Sequence, residues 1–285
     1  MIEIKHLTKY YGNFKSLDDV SIKVDKGTIF GFIGPNGAGK STAIKCIMNI
    51  LNYSGEIYVN KILCTKDNYE LRAKIGYLPS EIEIYEDMKV SDFITYNNNY
   101  YDFDCLEKAN LLMKELDLDK KKIIGELSFG NLKKLGIVIA LMHDPDLLIL
   151  DEPTSGLDPL IQEVFYNILR REKDNGKTIF LSSHNLNEVS GLCDDVAIIK
   201  EGKVLKVDSI NKLIGLKIVT VNGDVAKLND KFKSKIIEST KSSIKFSYDG
   251  NINKLIKLLS ELDITNVLIE NPKLEDIFLS YYKED

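Results

Sequence analysis

Residues 28–51 read TIFGFIGPNGAGKSTAIKCIMNIL. An apolar run, a glycine-rich turn and a segment of helical period follow one another without a spacer. Within them GPNGAGKS, residues 34–41, matches G-x-x-x-x-G-K-[ST] in full, in the strand–turn–helix setting the motif requires. Gly37 and Gly39 let the backbone turn so that consecutive N–H groups point at phosphate oxygens. The positive end of the following helix adds to that attraction. Lys40 brings a point charge suited to β- and γ-phosphates, and Ser41 a hydroxyl ligand suited to Mg²⁺. The blander alternative is a glycine-rich turn that matches by accident. The flanking strand and helix patterns weigh against it.

Working outward, residues 147–152, LLILDE, supply a second half-site. Four apolar residues fill a central strand, and carboxylates stand at its end, where ligands of open α/β sheets bind. Asp151 is suited to hold Mg²⁺ through a water ligand and Glu152 to polarise an attacking water. An isolated Asp-Glu pair would read more simply as a helix cap, but here it follows a phosphate loop. The runs TIFLSSH and VAIIKEG return as buried strands with helical segments between them, which argues for an α/β core with a parallel sheet. From about Val90 to Met142 the period is helical, so the block from about 85 to 140 reads as a helical insertion. Beyond residue 214 the strand-like KIVTVN, KIIEST, SIKFSYD and NVLIEN alternate with the amphipathic NINKLIKLLSELD and LEDIFLSYY. That pattern predicts a small α+β appendix over residues 215–285, after a main domain of residues 1–214.

Composition narrows the function classes. The chain has 285 residues, 44 % hydrophobic and 28 % charged, ordinary for a globular protein. A net charge of −5 gives no electrostatic case for nucleic acid as a partner. No apolar run approaches the length of a membrane span. The opening MIEIKHLTKYYG lacks the apolar core of a secretion signal. Cys46, Cys64, Cys105 and Cys193 are scattered and suit a reduced compartment, where buried cysteine is a small hydrophobe. A cytoplasmic chain is expected.

Taken in order, these motifs resemble those of the ATP-binding subunits of ABC transporters, over about residues 1–210. GPNGAGKST is similar to the family's Walker A, spanning Gly34, Pro35, Asn36, Gly37, Ala38, Gly39, Lys40, Ser41 and Thr42. LLILDEPTSGLD resembles its Walker B running into the D-loop at Asp158, and FLSSHNLNEV carries the switch histidine at His184. LTKYYG puts Tyr11 at the adenine-stacking position, with Tyr10 beside it. ELSFGNLKK resembles the LSGGQ signature, with Ser128 and Gly130 at the phosphate-binding Ser and Gly. Each has a simpler reading beside it: a core tyrosine, a helix-capping histidine, and Ser128 and Asp158 as N-caps, the latter with Pro159 at the first helical position.

The resemblance implies an α/β fold: a P-loop NTPase core with mixed sheet, an antiparallel β subdomain, the helical insertion and the C-terminal α+β appendix. It implies ATP and Mg²⁺ as cofactors, with Lys40, Glu152 and His184 catalytic and Ser41 and Asp151 serving the metal. It also implies head-to-tail pairing with a second copy or a second ATPase subunit, each Ser128 clamping ATP held by the other's Lys40. The remaining implied partner is a transmembrane permease, which would hold the chain at the inner face of the membrane. PSE in the Q-loop region and the ending LEDIFLSYY are similar to exporters of drugs, peptides or lipid-like molecules. Rival readings are a soluble ABC-type ATPase of repair or translation and a non-hydrolysing nucleotide-binding module. The aromatic-rich ITYNNNYYDFD, residues 94–104, reads equally as permease-docking surface or as packed tyrosines at a polar helix end.

Two motifs depart from the family. Phe129 and Asn131 replace the first Gly and the Gln of LSGGQ, and Ser80 stands where IGYLPSEIEIYEDM should carry the Q-loop Gln. Serine is too short to reach Mg²⁺ directly, so water or Glu81 would have to bridge. A working but altered clamp is expected.

Overall fold

The structure, a computed structural model, describes residues 1–65, 68–82, 85–214, 217–225, 228, 232 and 235–270. Strands β1 (Ile2–Tyr11) and β2 (Phe14–Val24) form an antiparallel hairpin that buries Ile2, Ile4, Leu7, Leu17, Val20, Ile22 and Val24. Period-two alternation of apolar and polar residues suits a sheet with one covered face. After β3 (Ile29–Ile33) and α1 (Lys40–Ile47), β4 (Ser54–Val59) pairs with β1, and β5 (Ile62–Leu63) completes a four-stranded sheet ordered β2-β1-β4-β5. This is the expected antiparallel subdomain.

The rest of the first unit follows as α2 (Tyr69–Ala73), β6 (Ile75–Leu78), helices α3 (Val90–Asn98), α4 (Leu106–Glu115) and α5 (Phe129–Met142), then β7 (Leu147–Asp151), α6 (Pro159–Asp174), β8 (Thr178–Ser183), α7 (Leu186–Leu192), β9 (Asp195–Lys200) and β10 (Lys203–Ser209). The second sheet is ordered β10-β9-β3-β8-β7-β6, and the pairings from β9 through to β6 are parallel. Every residue of β3, β7 and β8 is buried, which is why these strands read as unbroken apolar runs. Phe30 and Phe180 stack across β3 and β8 at 5.7 Å. The parallel arrangement delivers the loops after β3, β6, β7 and β8 to one edge of the sheet.

The helical insertion is anchored at a close approach. A Cβ on Gly76 of β6 would lie 2.1 Å from the Ala140 carbonyl oxygen, so α5 sits on β6 at a distance only glycine allows. Phe93 and Tyr96 of α3 and the flanking Tyr85 and Tyr100 form an aromatic ladder, with Tyr96 and Tyr100 ring centroids 5.2 Å apart. Tyr85, Tyr96 and Tyr100 remain exposed. The four cysteines are free, and burial pushes the thiols of Cys46 and Cys64 up to about 11. Among the described residues no helix is long and apolar enough to cross a membrane.

The chain divides between Val207 and Asp208, within the last residues of β10, so α8 (Ile210–Ile214) belongs to the second unit. There β11 (Lys217–Gly223), β12 (Ile236–Ser239), β13 (Ser243–Tyr248) and β14 (Ile264–Glu270) form a sheet ordered β12-β13-β11-β14 with antiparallel pairings. Helix α9 (Ile252–Leu259), capped by the Asn251 side chain, adds Leu255 and Leu259 to a core of Val219, Val221, Ile244 and Phe246. The segment LEDIFLSYY lies outside the described residues.

His143, at the C-terminal end of α5, is buried with its ring flat against Tyr101 at 4.6 Å. Burial pushes its pKa down to about 4 from the ordinary 6.5. The folded chain therefore prefers the neutral ring. Its stabilisation is complete above pH 6.5 and is lost as pH falls toward 4, by up to about 3 kcal/mol. The melting temperature of His143→Phe should accordingly fall less steeply than that of the wild type between pH 7 and pH 4.5; parallel curves would refute the assignment.

Candidate nucleotide site

The turn between β3 and α1 is shaped by glycine. Gly39 has φ +104°, and a Cβ there would lie 2.8 Å from both the Ser16 carbonyl oxygen and Leu17 Cδ2. Gly37 has φ +80° with open space around it, so conformation alone requires glycine at that position. The Ala38 N–H donates to the Pro35 carbonyl at 3.2 Å, and the Gly202 N–H to the Ala38 carbonyl at 3.0 Å, tying the loop to the turn between β9 and β10. Lys40 opens α1 and is only 6 % exposed. Its ammonium donates to the Gly34 carbonyl at 2.8 Å and the Pro35 carbonyl at 3.2 Å. Ser41 and Thr42 are half-buried beside it, and the Ser16 hydroxyl donates to Thr42 Oγ1 at 3.1 Å.

Two strands to the side, β7 ends in the fully buried Asp151. Asp151 Oδ1 accepts from the Ser182 hydroxyl at 2.6 Å, and the same hydroxyl accepts from the Glu152 N–H at 3.0 Å. Glu152 adopts φ +47°, unusual for a residue with a side chain, and the Ser182 bond helps to hold it there. That backbone turn aims Glu152 back across the sheet edge. Its Oε1 lies 3.1 Å from Lys40 Nζ and its Oε2 2.8 Å from His184 Nδ1. An ionised carboxylate only accepts, so Nδ1 carries the imidazole proton and Nε2 is the acceptor while the ring is neutral. His184 follows β8 directly and does not cap α7. Asn185 does, accepting from the N–H groups of Asn187 and Glu188. Glu188 is buried beneath this turn and accepts from the Ser183 hydroxyl at 2.6 Å; burial raises its pKa.

Phosphate loop, β7 end and His184 thus converge on one ion-paired group. The signature residues form a second group. Ser128 caps α5, its hydroxyl accepting from the Asn131 N–H at 3.3 Å. Gly130 lies against the loop after β7, where a Cβ would meet the Gly156 carbonyl oxygen at 2.6 Å. Asp158 caps α6, Oδ1 accepting from the Ile161 N–H at 3.1 Å, with Pro159 as its first residue. Ser80 follows β6, and its carbonyl accepts from Lys133 Nζ at 2.9 Å. Tyr11 ends β1 half-exposed with Lys9 Nζ 5.2 Å from its ring centroid, and Tyr10 is as exposed, under Lys15. Sequence reasoning missed Ser182, Ser16 and Lys133. Ser182 had one signal, a small hydroxyl near the end of an apolar strand, two residues before His184. Lys133 had none, because a Lys-Lys pair early in a helix reads as solvated.

Fold and site together define a P-loop ATPase. The sequence model of the ABC transporter family matches residues 17–155. An uncharacterised ABC transporter ATP-binding protein of Methanocaldococcus jannaschii is 35 % identical, covering 89 % of this chain and 97 % of that protein. The bacitracin transport ATP-binding protein of Bacillus licheniformis is 33 % identical over 98 % of this chain and 96 % of its own length. A solved ATP-binding subunit of an ABC transporter superposes with a TM-score of 0.70 at 29 % identity, covering 75 % of this chain and 91 % of that one. The chain belongs to the ATP-binding proteins of ABC transporters, which hydrolyse ATP to energise transport.

Ser182→Ala would leave the buried Asp151 carboxylate and the Glu152 N–H without their shared hydroxyl. The expected cost is about 1–3 kcal/mol of unfolding free energy, read by denaturant titration, together with a fall in ATPase turnover. Unchanged stability and turnover would remove Ser182 from the site.

Proposed function

We propose that this chain is the ATPase subunit of a membrane exporter and that the Lys40–Glu152–His184 group is its catalytic centre. The observation that carries the reading is the meeting of the phosphate-loop lysine, the carboxylate and the histidine at the sheet edge, at 3.1 and 2.8 Å. Backbone N–H groups of the 34–39 loop and the start of α1 would cradle the phosphates of ATP. Lys40 would exchange Glu152 for phosphate oxygens, and Glu152 Oε1, released, would accept a proton from water in line with the γ-phosphate. His184 holds Oε2, which fixes the carboxylate plane. Tyr11 would offer its exposed face to adenine.

The donor set suits Mg²⁺. Asp151 Oδ2 is buried and has no hydrogen-bond partner among the described residues, and the Ser41 hydroxyl lies at the start of α1. A cation here would take its remaining ligands from phosphate and water. When bound, Mg²⁺ would neutralise charge developing on the β- and γ-phosphate oxygens. Ser41 would supply a ligand and Asp151 would orient a water.

Ser128, Gly130 and Asn131 make no hydrogen bond to the phosphate-loop group among the described residues. We assign them, with Asp158, to nucleotide held by a second copy or a second ATPase subunit stacked head to tail. The exposed tyrosines of the aromatic ladder at α3 and its flanks, Tyr85, Tyr96 and Tyr100, are the surface we assign to the permease, through which the chain would sit at the cytoplasmic face of the membrane. The likeness to a bacitracin transport protein over nearly the full length favours a peptide or drug as cargo. The second unit, residues 208–285, is proposed as an accessory domain.

Glu152→Gln should bind ATP without turning it over and elute as a dimer on a sizing column. A variant that stays monomeric in saturating ATP would overturn the head-to-tail arrangement. Co-purification of a membrane subunit with the wild-type chain tests the transporter assignment.

A further inference from the structure

The two departures from the family sequence meet in space through one side chain. Lys133 of α5 is 1 % exposed. Its ammonium donates to the carbonyls of Ser80 at 2.9 Å and Pro79 at 3.3 Å and lies 5.9 Å from the Phe129 ring centroid. The charges of Asp151 and Glu152 also attract it, against the burial that disfavours an ammonium. One turn earlier the Phe129 ring covers Gly156: a Cβ on Gly156 would lie 2.2 Å from Phe129 Cδ1. Gly156 has φ +79°, so its backbone also favours glycine. On the other side, Gly136 of α5 faces Leu78 and Ile82, which flank the Pro79–Ser80 turn.

Three loops therefore depend on one lysine and one ring: the turn after β6, the loop after β7 and the first turn of α5. A buried ammonium is costly to desolvate, and an apolar side chain of similar volume usually packs there without loss. Here the charge holds backbone, since both carbonyls that accept from it belong to the Pro79–Ser80 turn. The side chain of Ser80 cannot span the distance that a glutamine could, but its backbone carbonyl is held directly.

We propose that Lys133 is a positioning residue that, with Phe129, latches the signature turn at Ser128–Gly130 to the Ser80 turn and to the Gly156 loop. Displacement of any one of the three is then passed to the other two. This rests on the ATPase reading above. In the latched arrangement Phe129 is a working part, its ring closing over both Lys133 and Gly156. The phosphate loop itself does not contribute to the latch, so nucleotide capture by one copy depends on it less than turnover does.

The test uses the full chain with Mg-ATP. Lys133→Met should lower kcat about tenfold, the loss expected for a charge-assisted hydrogen bond, while KM for ATP changes less than about twofold. Lys133→Arg, which keeps a cation able to donate to two carbonyls, should recover most of the rate. Phe129→Gly should lower kcat in the wild-type background and add little to Lys133→Met, since both break the same latch. If Lys133→Met does not fold, Phe129→Leu against Phe129→Tyr carries the comparison: the latch predicts that Tyr retains kcat and Leu does not. Equal losses in Lys133→Met and Lys133→Arg, a change confined to KM, or additive effects of Lys133→Met and Phe129→Gly would each overturn the proposal. In the Glu152→Gln background, ATP-driven dimerisation gives a readout that needs no turnover. There Lys133→Met should weaken dimerisation about tenfold without changing ATP binding by the monomer; unaltered dimerisation would also overturn it. A wild-type chain without ATP turnover would instead sink the proposed function, leaving this second readout to decide the latch.

Discussion

Three neighbouring strands, β3, β8 and β7, are buried along their whole length, and that constraint determines where chemistry can occur. No polar side chain can be housed along them without a partner, so polar groups collect where the strands end. Asp151 is the limiting case: fully buried, it is tolerated because Ser182 on the adjacent strand turns a hydroxyl toward it. The register that pairs Asp151 with Ser182 is set by apolar packing further down the two strands. The core thus fixes the site without containing it.

At that edge the charges balance locally. Lys40 is nearly inaccessible, yet two carbonyls and the Glu152 carboxylate surround it, which offsets much of the cost of burying an ammonium. Glu152 in turn is divided between Lys40 and His184. On the function proposed above, a polyphosphate entering the loop would compete for Lys40 with a carboxylate already in place. Nucleotide entry and release of the carboxylate would then be one event, and the left-handed backbone at Glu152 would keep the freed group directed at the same space.

Much of this was legible in the sequence because the relevant information is local. The phosphate loop is contiguous, its glycines answer to backbone angles, and the buried strands announce themselves as unbroken apolar runs. The helical insertion and the strands of the second unit follow from periodicity in the same way, whereas the antiparallel sheet was implied by the resemblance to the family. What the sequence concealed depends on distant segments meeting. Ser182 matters because of residues on another strand, Ser16 because β2 runs past α1, and Lys133 because α5 packs on β6 closely enough to bury it. A lysine next to another lysine carries no sign of which one is inside. Periodicity also could not separate Tyr10 from Tyr11, since both remain exposed at the hairpin end.

The contact between Gly130 and Gly156 has one more consequence. Backbone lies against backbone there, with no side chain on either residue to cushion a change in spacing. The signature turn and the loop leading to Asp158 therefore present one continuous relief at this contact. Any surface that recognises one must accept the shape of both at once, which makes fit between protein faces an all-or-none matter.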